Sequence, residues 1–347
     1  MKFPARLALF AAALLPTAAV FADTVTSDIS GYLKISAPAT TDTPISPAFA
    51  RDTIWRSTVS SISGSTITVS GTPNWTAGSL APGTDTYYAR LTSGALKGNY
   101  FTITGNATGS VTVDAAGLDL STVTAGDKLE IAPYWTLGTL YPTGDAGTKF
   151  IASGSTLDIQ TELLFFDAST LGVNRAPSAS YYFCQGHWRK FGASASTSFD
   201  NTIIYPDSYF VQRNKAASTT VVLTGRVLPS FVSTILESNA SKQNDNYVAL
   251  AYPVDVTLAR AGLASSFKAS NSALDIADTL LVFDSSGTGY NRAPSATYYY
   301  YNNGWRKFGS PVSTDFSNSA VIPAGTGFIV RKALNSPSAT WQFDTQL

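Results

Sequence analysis

Three chemically versatile side chains are nearly missing from this sequence. It has one cysteine, Cys184, one histidine, His187, and one methionine, Met1. A single cysteine excludes an intramolecular disulfide, and a structural zinc site needs about four nitrogen or sulfur ligands, which the chain cannot supply. Cys184 and His187 lie close in sequence, but no third group that could orient the histidine is recognisable. We therefore predict no catalytic residue, no metal site and no cofactor.

Charge is also scarce. Only 13% of the 347 residues are Asp, Glu, Lys or Arg, and the 23 basic side chains balance the 23 acidic ones. An average soluble protein has about 25% charged residues. Without a basic excess the chain cannot neutralise a series of phosphates, which argues against a nucleic-acid partner. The same shortage leaves no Lys/Arg cluster for anionic lipid.

Long apolar runs are missing as well. The longest, from Leu7 to Leu15, follows the basic residues Lys2 and Arg6 and precedes small residues at Val20 and Ala22. It is too short to span a bilayer, so residues 1–22 are predicted to be a cleaved secretory signal. We expect an exported protein, extracellular, periplasmic or on the cell surface, with no transmembrane segment after cleavage.

What remains is rich in strand signals. Stretches such as "STITVSG" from Ser65 and "YFTITGNATGSVTVD" from Tyr100 alternate β-branched or aromatic residues with polar ones and are separated by Gly/Asn turns. This pattern is typical of half-buried strands, whereas helical periodicity is nearly absent. The sequence predicts an all-β fold whose first part, residues 23–137, is an antiparallel β domain.

The remainder of the chain contains a repeated block. "NRAPSASYYFCQGHWRKFG" from Asn174 and "NRAPSATYYYYNNGWRKFG" from Asn291 are identical at 13 of 19 positions. Two copies are too few for a solenoid, so we predict two duplicated units resembling β-sandwiches or barrels. Their bounds are residues 138–224 and 246–347, joined by a connector at 225–245.

Each block is predicted to form a buried strand, a loop and a hairpin. The residues shared by both loops favour a structural role. Pro fixes the backbone, Asn tolerates left-handed conformations, and the Arg could clamp the preceding Asp. The predicted structural loop residues are Asp167, Asn174, Arg175, Pro177, Asp284, Asn291, Arg292 and Pro294.

The same blocks could alternatively form a recognition surface. Neighbouring strand residues face opposite sides of a sheet, so one tyrosine of each pair would face solvent beside Trp and Arg. Exposed aromatic clusters often mark binding sites. The candidate binding residues are Tyr181, Tyr182, Trp188, Arg189, Tyr298, Tyr299, Trp305 and Arg306, with a glycan or another surface protein as the partner.

The strings "YWTLGTLYP", "NYVALAYPVDVTL", "GYNRAPSATYYYYNNGWRKFG" and "IPAGTGFIVRKA" resemble a family of exported, β-rich proteins from verrucomicrobial and related bacteria. The resemblance covers most of the chain after the signal. It implies export and a β-rich fold. The family has no assigned chemistry, so no site residue follows from it.

These observations predict a structural or adhesive surface protein without catalytic activity. One alternative is a carbohydrate-binding protein that uses the Tyr/Trp hairpins. Another is an enzyme resembling glycoside hydrolases, which would need two converging carboxylates. A further open point is the stretch "DSSGTGYN" from Asp284, whose oxygen ligands have spacing similar to that of a calcium loop.

Overall fold

The computed structural model describes residues 28–167, 170–284 and 287–345. Residues 1–22, the predicted signal peptide, lie outside these ranges. The predicted all-β fold is confirmed, since the regular elements of the described chain are strands with only a few short helical turns. Within the described ranges, no helix has the length and apolar character needed to cross a lipid bilayer.

The strands follow one another along the chain in four groups. The first is β1 (Ser30–Ala37) and β2 (Thr41–Ile45). The second is β3 (Trp55–Ser63), β4 (Thr66–Val69), β5 (Tyr87–Leu91), β6 (Tyr100–Ala107), β7 (Ser110–Val113) and β8 (Lys128–Pro133). The third is β9 (Trp135–Thr136), β10 (Thr161–Phe165), β11 (Ala179–Cys184), β12 (His187–Lys190), β13 (Ile203–Ile204), β14 (Phe210–Asn214) and β15 (Thr219–Arg226).

The fourth group is β16 (Val232–Leu236), β17 (Asn244–Ala249), β18 (Val256–Thr257), β19 (Thr279–Val282), β20 (Ala296–Tyr301), β21 (Gly304–Lys307), β22 (Val321–Ile322), β23 (Gly327–Lys332) and β24 (Ala339–Phe343). A single α-helical turn, α1, spans Leu137–Leu140. The 3₁₀ turns are Leu120–Thr122, Thr143–Asp145 and Leu263–Ser266.

Two five-stranded sheets have the same strand order. One is β12-β11-β10-β14-β2 and the other is β21-β20-β19-β23-β17. Their registers also correspond, because Glu162 pairs with Tyr182 in one sheet and Thr279 pairs with Tyr299 in the other. Each sheet is accompanied by two small antiparallel pairs, β1–β15 and β9–β13 in one case and β16–β24 and β18–β22 in the other. We call these assemblies the first unit and the second unit.

The strand pairing places the boundaries between the β domain, the connector and the two units at other residues than the sequence predicted. The closed barrel of β3 to β8 is formed by residues 55–133 alone, whereas β1 and β2 pair with β15 and β14 of the first unit. The predicted connector, residues 225–245, contains β16, which pairs with β24. The barrel is therefore an insertion between β2 and β9, where the second unit has a short link between β17 and β18. Local strand patterns do not specify partners that lie far apart in the chain.

Both hairpins of the repeated block turn through two residues with positive φ. They are Gln185 and Gly186 in the first unit and Asn302 and Asn303 in the second. Positive φ at both central positions is the requirement of a type I′ turn. Gly304 follows the second turn as a strand residue, and a Cβ there would lie 2.8 Å from the Asp315 carboxylate. The Asp315 carboxylate thus takes up the space beside Gly304 where the first unit has the His187 side chain.

The core is continuous through both units. Buried residues of each, from Ile35 and Phe210 to Val248 and Phe328, belong to one hydrophobic cluster. Trp188 is fully buried, and its indole nitrogen donates to the Tyr141 carbonyl at 3.0 Å. The barrel has a separate core of Val, Ile, Leu and Phe side chains. The two units thus fold as one body to which the barrel is attached.

A buried ion cluster attaches the barrel to the first unit. Glu130 on β8 accepts hydrogen bonds from Arg90 Nε on β5 and from Arg226 Nη2 on β15, both at 2.9 Å. All three side chains are at most 3% exposed. Burial raises the pKa of Glu130, but the two guanidinium groups outweigh burial and hold it below its ordinary value of 4.5. The carboxylate is therefore ionised when the barrel is docked.

We predict that this junction is sensitive to acid. A carboxyl whose pKa is lowered by folding adds stability above its ordinary pKa, and that stability is lost as the pH falls through the folded value. Glu130→Gln should lower the free energy of unfolding by about 3 kcal/mol at pH 7, because two buried guanidinium groups lose their anion. Urea unfolding of both proteins at pH 7, 5 and 3 should show this difference shrinking towards pH 3. A constant difference would contradict the assignment.

Candidate functional site at the approximate twofold axis

The repeated Asn-Arg-Ala-Pro loops lie between the two units. They follow β10 and β19, and their asparagines, Asn174 and Asn291, have φ values of 49° and 50°. This is the left-handed region, which asparagine tolerates better than most residues. The turn carries each loop across to the opposite unit, where it meets an aspartate on the edge strand.

The loop of the first unit binds Asp245 on β17 of the second unit. The backbone N–H of Asn174 donates to Asp245 Oδ2 at 2.7 Å. Arg331 donates to the same carboxylate through Nε at 2.6 Å and Nη2 at 3.0 Å, and its Nη2 also donates to Asn174 Oδ1 at 2.8 Å. Asp245, Arg331 and Asn174 thus form a closed hydrogen-bonded ring, which we call a clasp.

The loop of the second unit forms the same clasp on the first unit. The N–H of Asn291 donates to Asp42 Oδ2 at 2.7 Å, and Arg213 donates to Asp42 at 2.7 and 2.8 Å and to Asn291 Oδ1 at 2.9 Å. The arginine–aspartate pairs are bidentate, the geometry in which a guanidinium and a carboxylate interact most specifically. Because each unit both supplies a loop and receives one, the units are related by an approximate twofold axis.

The loop arginines reinforce both clasps. Arg175 donates to the carbonyls of Asp167 in its own loop and of Asp245 in the opposite unit. Arg292 donates to the carbonyls of Asp284 at 3.1 Å and Asp42 at 3.0 Å. The expected contact with the preceding aspartate runs to its carbonyl in both loops, and Arg292 Nη1 also lies 3.9 Å from Asp284 Oδ1. The equally important contact with the opposite unit does not follow from any local sequence pattern.

Two backbone hydrogen bonds repeat the same reciprocity. The N–H of Ala249 donates to the Asp207 carbonyl, and the N–H of Ser46 donates to the Gly325 carbonyl, both at 2.9 Å. Ala249 and Ser46 are equivalent positions, because each follows its clasp aspartate, Asp245 or Asp42, by the same number of residues. Asp207 and Gly325 are also equivalent, since each precedes the strand that pairs with that edge strand. These bonds fix the relative position of the two sheets.

One pair of equivalent positions lies in contact at the axis, and the residues at these two positions differ. By register, Tyr209 of the first unit corresponds to Gly327 of the second. A Cβ at Gly327 would lie 1.9 Å from Cγ of Tyr209. The tyrosine ring therefore occupies the space that a side chain of its own counterpart would need. Two identical units could not place a large residue against glycine here.

A cavity of about 670 Å³ opens beside this contact. Its walls are mainly apolar side chains of both sheets, including Leu164, Leu281 and Ile329, and its rim is formed by the two Asn-Arg-Ala-Pro loops with Pro177 and Pro294. This volume lies in the range typical of small-molecule sites. Nε of Arg175 and Nε of Arg292, both in the cavity wall, are buried without an acceptor among the described residues.

The candidate binding residues on the hairpins are placed differently from the prediction. All eight are buried, each at most 8% exposed: Tyr181, Tyr182, Trp188, Arg189, Tyr298, Tyr299, Trp305 and Arg306. The expectation that one ring of each tyrosine pair faces solvent is wrong. Both faces of each sheet are covered, so alternation along the strand sends side chains into two buried layers. Tyr181, for example, packs edge-on against Phe165, while Tyr182 packs with Ile159 and Cys184.

Cys184 and His187 lie in different environments. Cys184 is 1% exposed within an apolar cluster. The exposed His187 ring contacts Asp200 through Nδ1 at 2.7 Å, and Asp200 also accepts the Trp188 N–H. Burial raises the pKa of Asp200, but these hydrogen bonds outweigh it and hold the pKa below its ordinary value. Asp200 thus links the His187 ring to the backbone of the same strand, and the histidine has a structural contact here.

The proposed ion loop from Asp284 cannot be traced in full, since residues 285 and 286 lie outside the described ranges. Among the residues that the structure describes, no group of three or more His, Cys, Asp or Glu side chains could hold a metal ion. The ion loop therefore stays an open alternative from the sequence, beside the prediction of no metal site.

Comparison with known proteins adds no assignment to these sites. No protein-family model, no curated protein and no solved structure matches this chain.

We predict that each clasp couples the two units crosswise. Asp42→Asn should lower the free energy of unfolding by about 3 kcal/mol, because the partly buried Arg213 loses its anion. Hydrogen exchange should show faster exchange at Asn291, in the second unit, while the Asn174 amide stays protected. The exposed Asp158 offers a control, since Asp158→Asn should change stability by less than about 0.5 kcal/mol. Loss of protection at both asparagines, or at neither, would contradict the reciprocal arrangement.

We also predict strong coupling between Tyr209 and Gly327. Gly327→Ala should destabilise the protein by about 3 kcal/mol, because the new methyl group collides with the base of the tyrosine side chain rather than its flexible end. In a Tyr209→Ala background the same change should cost less than about 1 kcal/mol. Gly105→Ala, at a glycine with open space around its Cβ position, is the matched control. Additive effects in urea unfolding would refute the contact.

Proposed function

We propose that this protein is an exported structural or adhesive protein that works as a rigid body rather than as a catalyst. The observation that carries the proposal is the use of the repeated side chains. Asn and Arg of the loops, together with the Asp of each edge strand and the Arg of its neighbouring strand, connect the two units in both directions. Residues kept in both copies thus serve a fixed geometry between the units, as expected of a structural or adhesive protein.

A second observation supports adhesion in particular. Four large apolar residues are exposed at equivalent positions of the two units, namely Leu157 at 97% and Leu274 at 99%, and Phe191 at 64% and Phe308 at 67%. Single exposed apolar residues are ordinary. Identical ones at equivalent places are harder to explain by stability, because an exposed Leu or Phe contributes little to folding. We therefore propose these side chains, instead of the buried hairpin tyrosines, as contacts with a glycan or another surface protein.

The proposed contact surface is tested by attachment. Purified protein should adsorb to cell envelopes of the producing organism, and a Phe191→Ser/Phe308→Ser variant should bind about tenfold more weakly or worse. Its thermal unfolding should be unchanged, because both rings are largely in solvent. Tyr32→Ser removes an aromatic ring that is 76% exposed but lies outside the repeated block, so it should bind like the wild type. Absent wild-type binding, or equal loss in the control, would refute the adhesive role of these residues.

A further inference from the structure

An aromatic ring is sandwiched in one half of the axial cavity. Tyr247 of the second unit stacks on Phe166 of the first, with ring centroids 4.3 Å apart and planes 5° from parallel. The guanidinium carbon of Arg175 lies 4.9 Å from the centroid of the Tyr247 ring. The order Phe166, Tyr247, Arg175 combines aromatic stacking with a cation–π contact, and both interactions favour a planar, electron-rich ring.

The other half of the cavity has the outer two members of this sandwich but not the middle one. By register, Phe283 corresponds to Phe166 and Arg292 to Arg175, while the place of Tyr247 is taken by Pro44. All three residues line the cavity. No aromatic ring among the described residues makes a ring contact with Phe283. The second sandwich therefore lacks its central ring.

We propose that this half of the cavity binds a small aromatic compound of the phenol type between Phe283 and Arg292. Its ring would take the position that Tyr247 has in the other half. The face of Phe283 supplies the stacking surface, and the Arg292 side chain supplies the cation. Among the described residues, Arg175 Nε is also buried without an acceptor beside Tyr247 in the occupied half, so the affinity of the second half is expected to come from stacking and the cation–π contact alone. This proposal does not depend on the adhesive role.

The probe is p-cresol, which is the tyrosine side chain cut at Cβ. Equilibrium dialysis of the intact protein against p-cresol should give one molecule bound per chain. The saturated analogue 4-methylcyclohexanol has a similar size but no π-face, and it should bind at least about tenfold more weakly if stacking and the cation–π contact provide the affinity. Absence of p-cresol binding, or equal binding of the two compounds, would overturn the proposal.

Two variants exploit the approximate symmetry. Pro44→Tyr supplies the missing ring from the protein itself and should abolish p-cresol binding. Tyr247→Ala empties the first sandwich and should raise the stoichiometry from one to two. Both substitutions lie on edge strands with a single paired neighbour, and circular dichroism melting would verify that the variants are folded. Undiminished binding to folded Pro44→Tyr would show that p-cresol binds elsewhere and would refute the site.

If Tyr247→Ala does not fold, Tyr247→Phe provides the second measurement. It keeps a ring in the first sandwich, so the stoichiometry should stay at one. An increase to two with this variant would contradict the correspondence between the two halves.

Discussion

The carboxylates of Asp42 and Asp245 impose the condition on which the two-unit architecture depends. Each lies on an edge strand and is largely removed from water, with Asp245 fully buried and Asp42 11% exposed. A buried anion is costly unless charge and hydrogen bonds compensate it. The arginine of the neighbouring strand supplies the charge, but the asparagine N–H comes from the opposite unit. Neither carboxylate is fully satisfied until both units have folded and met.

That condition explains why the two units stay similar at some positions and diverge at others. The clasp residues are the same on both sides because the same contact is made twice. At the axis, by contrast, Tyr209 contacts Gly327, and two tyrosines at these equivalent positions would not fit. Inside each unit, two residues that bind each other can both differ from the corresponding pair in the other unit. Thr161 and Asn214 share a hydrogen bond of 2.9 Å in the first unit, and the buried pair of Asp278 and Lys332 occupies the equivalent place in the second.

The sequence predicts what depends on neighbours along the chain. Strand alternation, the turns at Gln185 and Asn302 and the left-handed asparagines are all local, and the all-β fold follows from them. The clasps are not local, since Asp42 and Asn291 lie in different units. The only sequence signal for the two aspartates is a short resemblance between "TDT" from Thr41 and "NDN" from Asn244. Burial of the hairpin tyrosines was equally hidden, because alternation identifies two faces but not what covers each of them.

The position of the inserted barrel also depends on strands that are far apart in the sequence and pair in the fold. Its first and last strands are neighbours, with Trp55 opposite Ile131, so the insertion leaves and re-enters the first unit at nearly one place. A unit whose fold tolerates a short link at that point also tolerates a long one, because loop closure costs little more as length grows. The barrel is not left free, however. Glu130 binds Arg226 of the first unit, and Arg90 donates to the Phe231 carbonyl of the second at 2.7 Å. The barrel thus contacts both units, and its docking adds a further tie to the arrangement that the clasps establish.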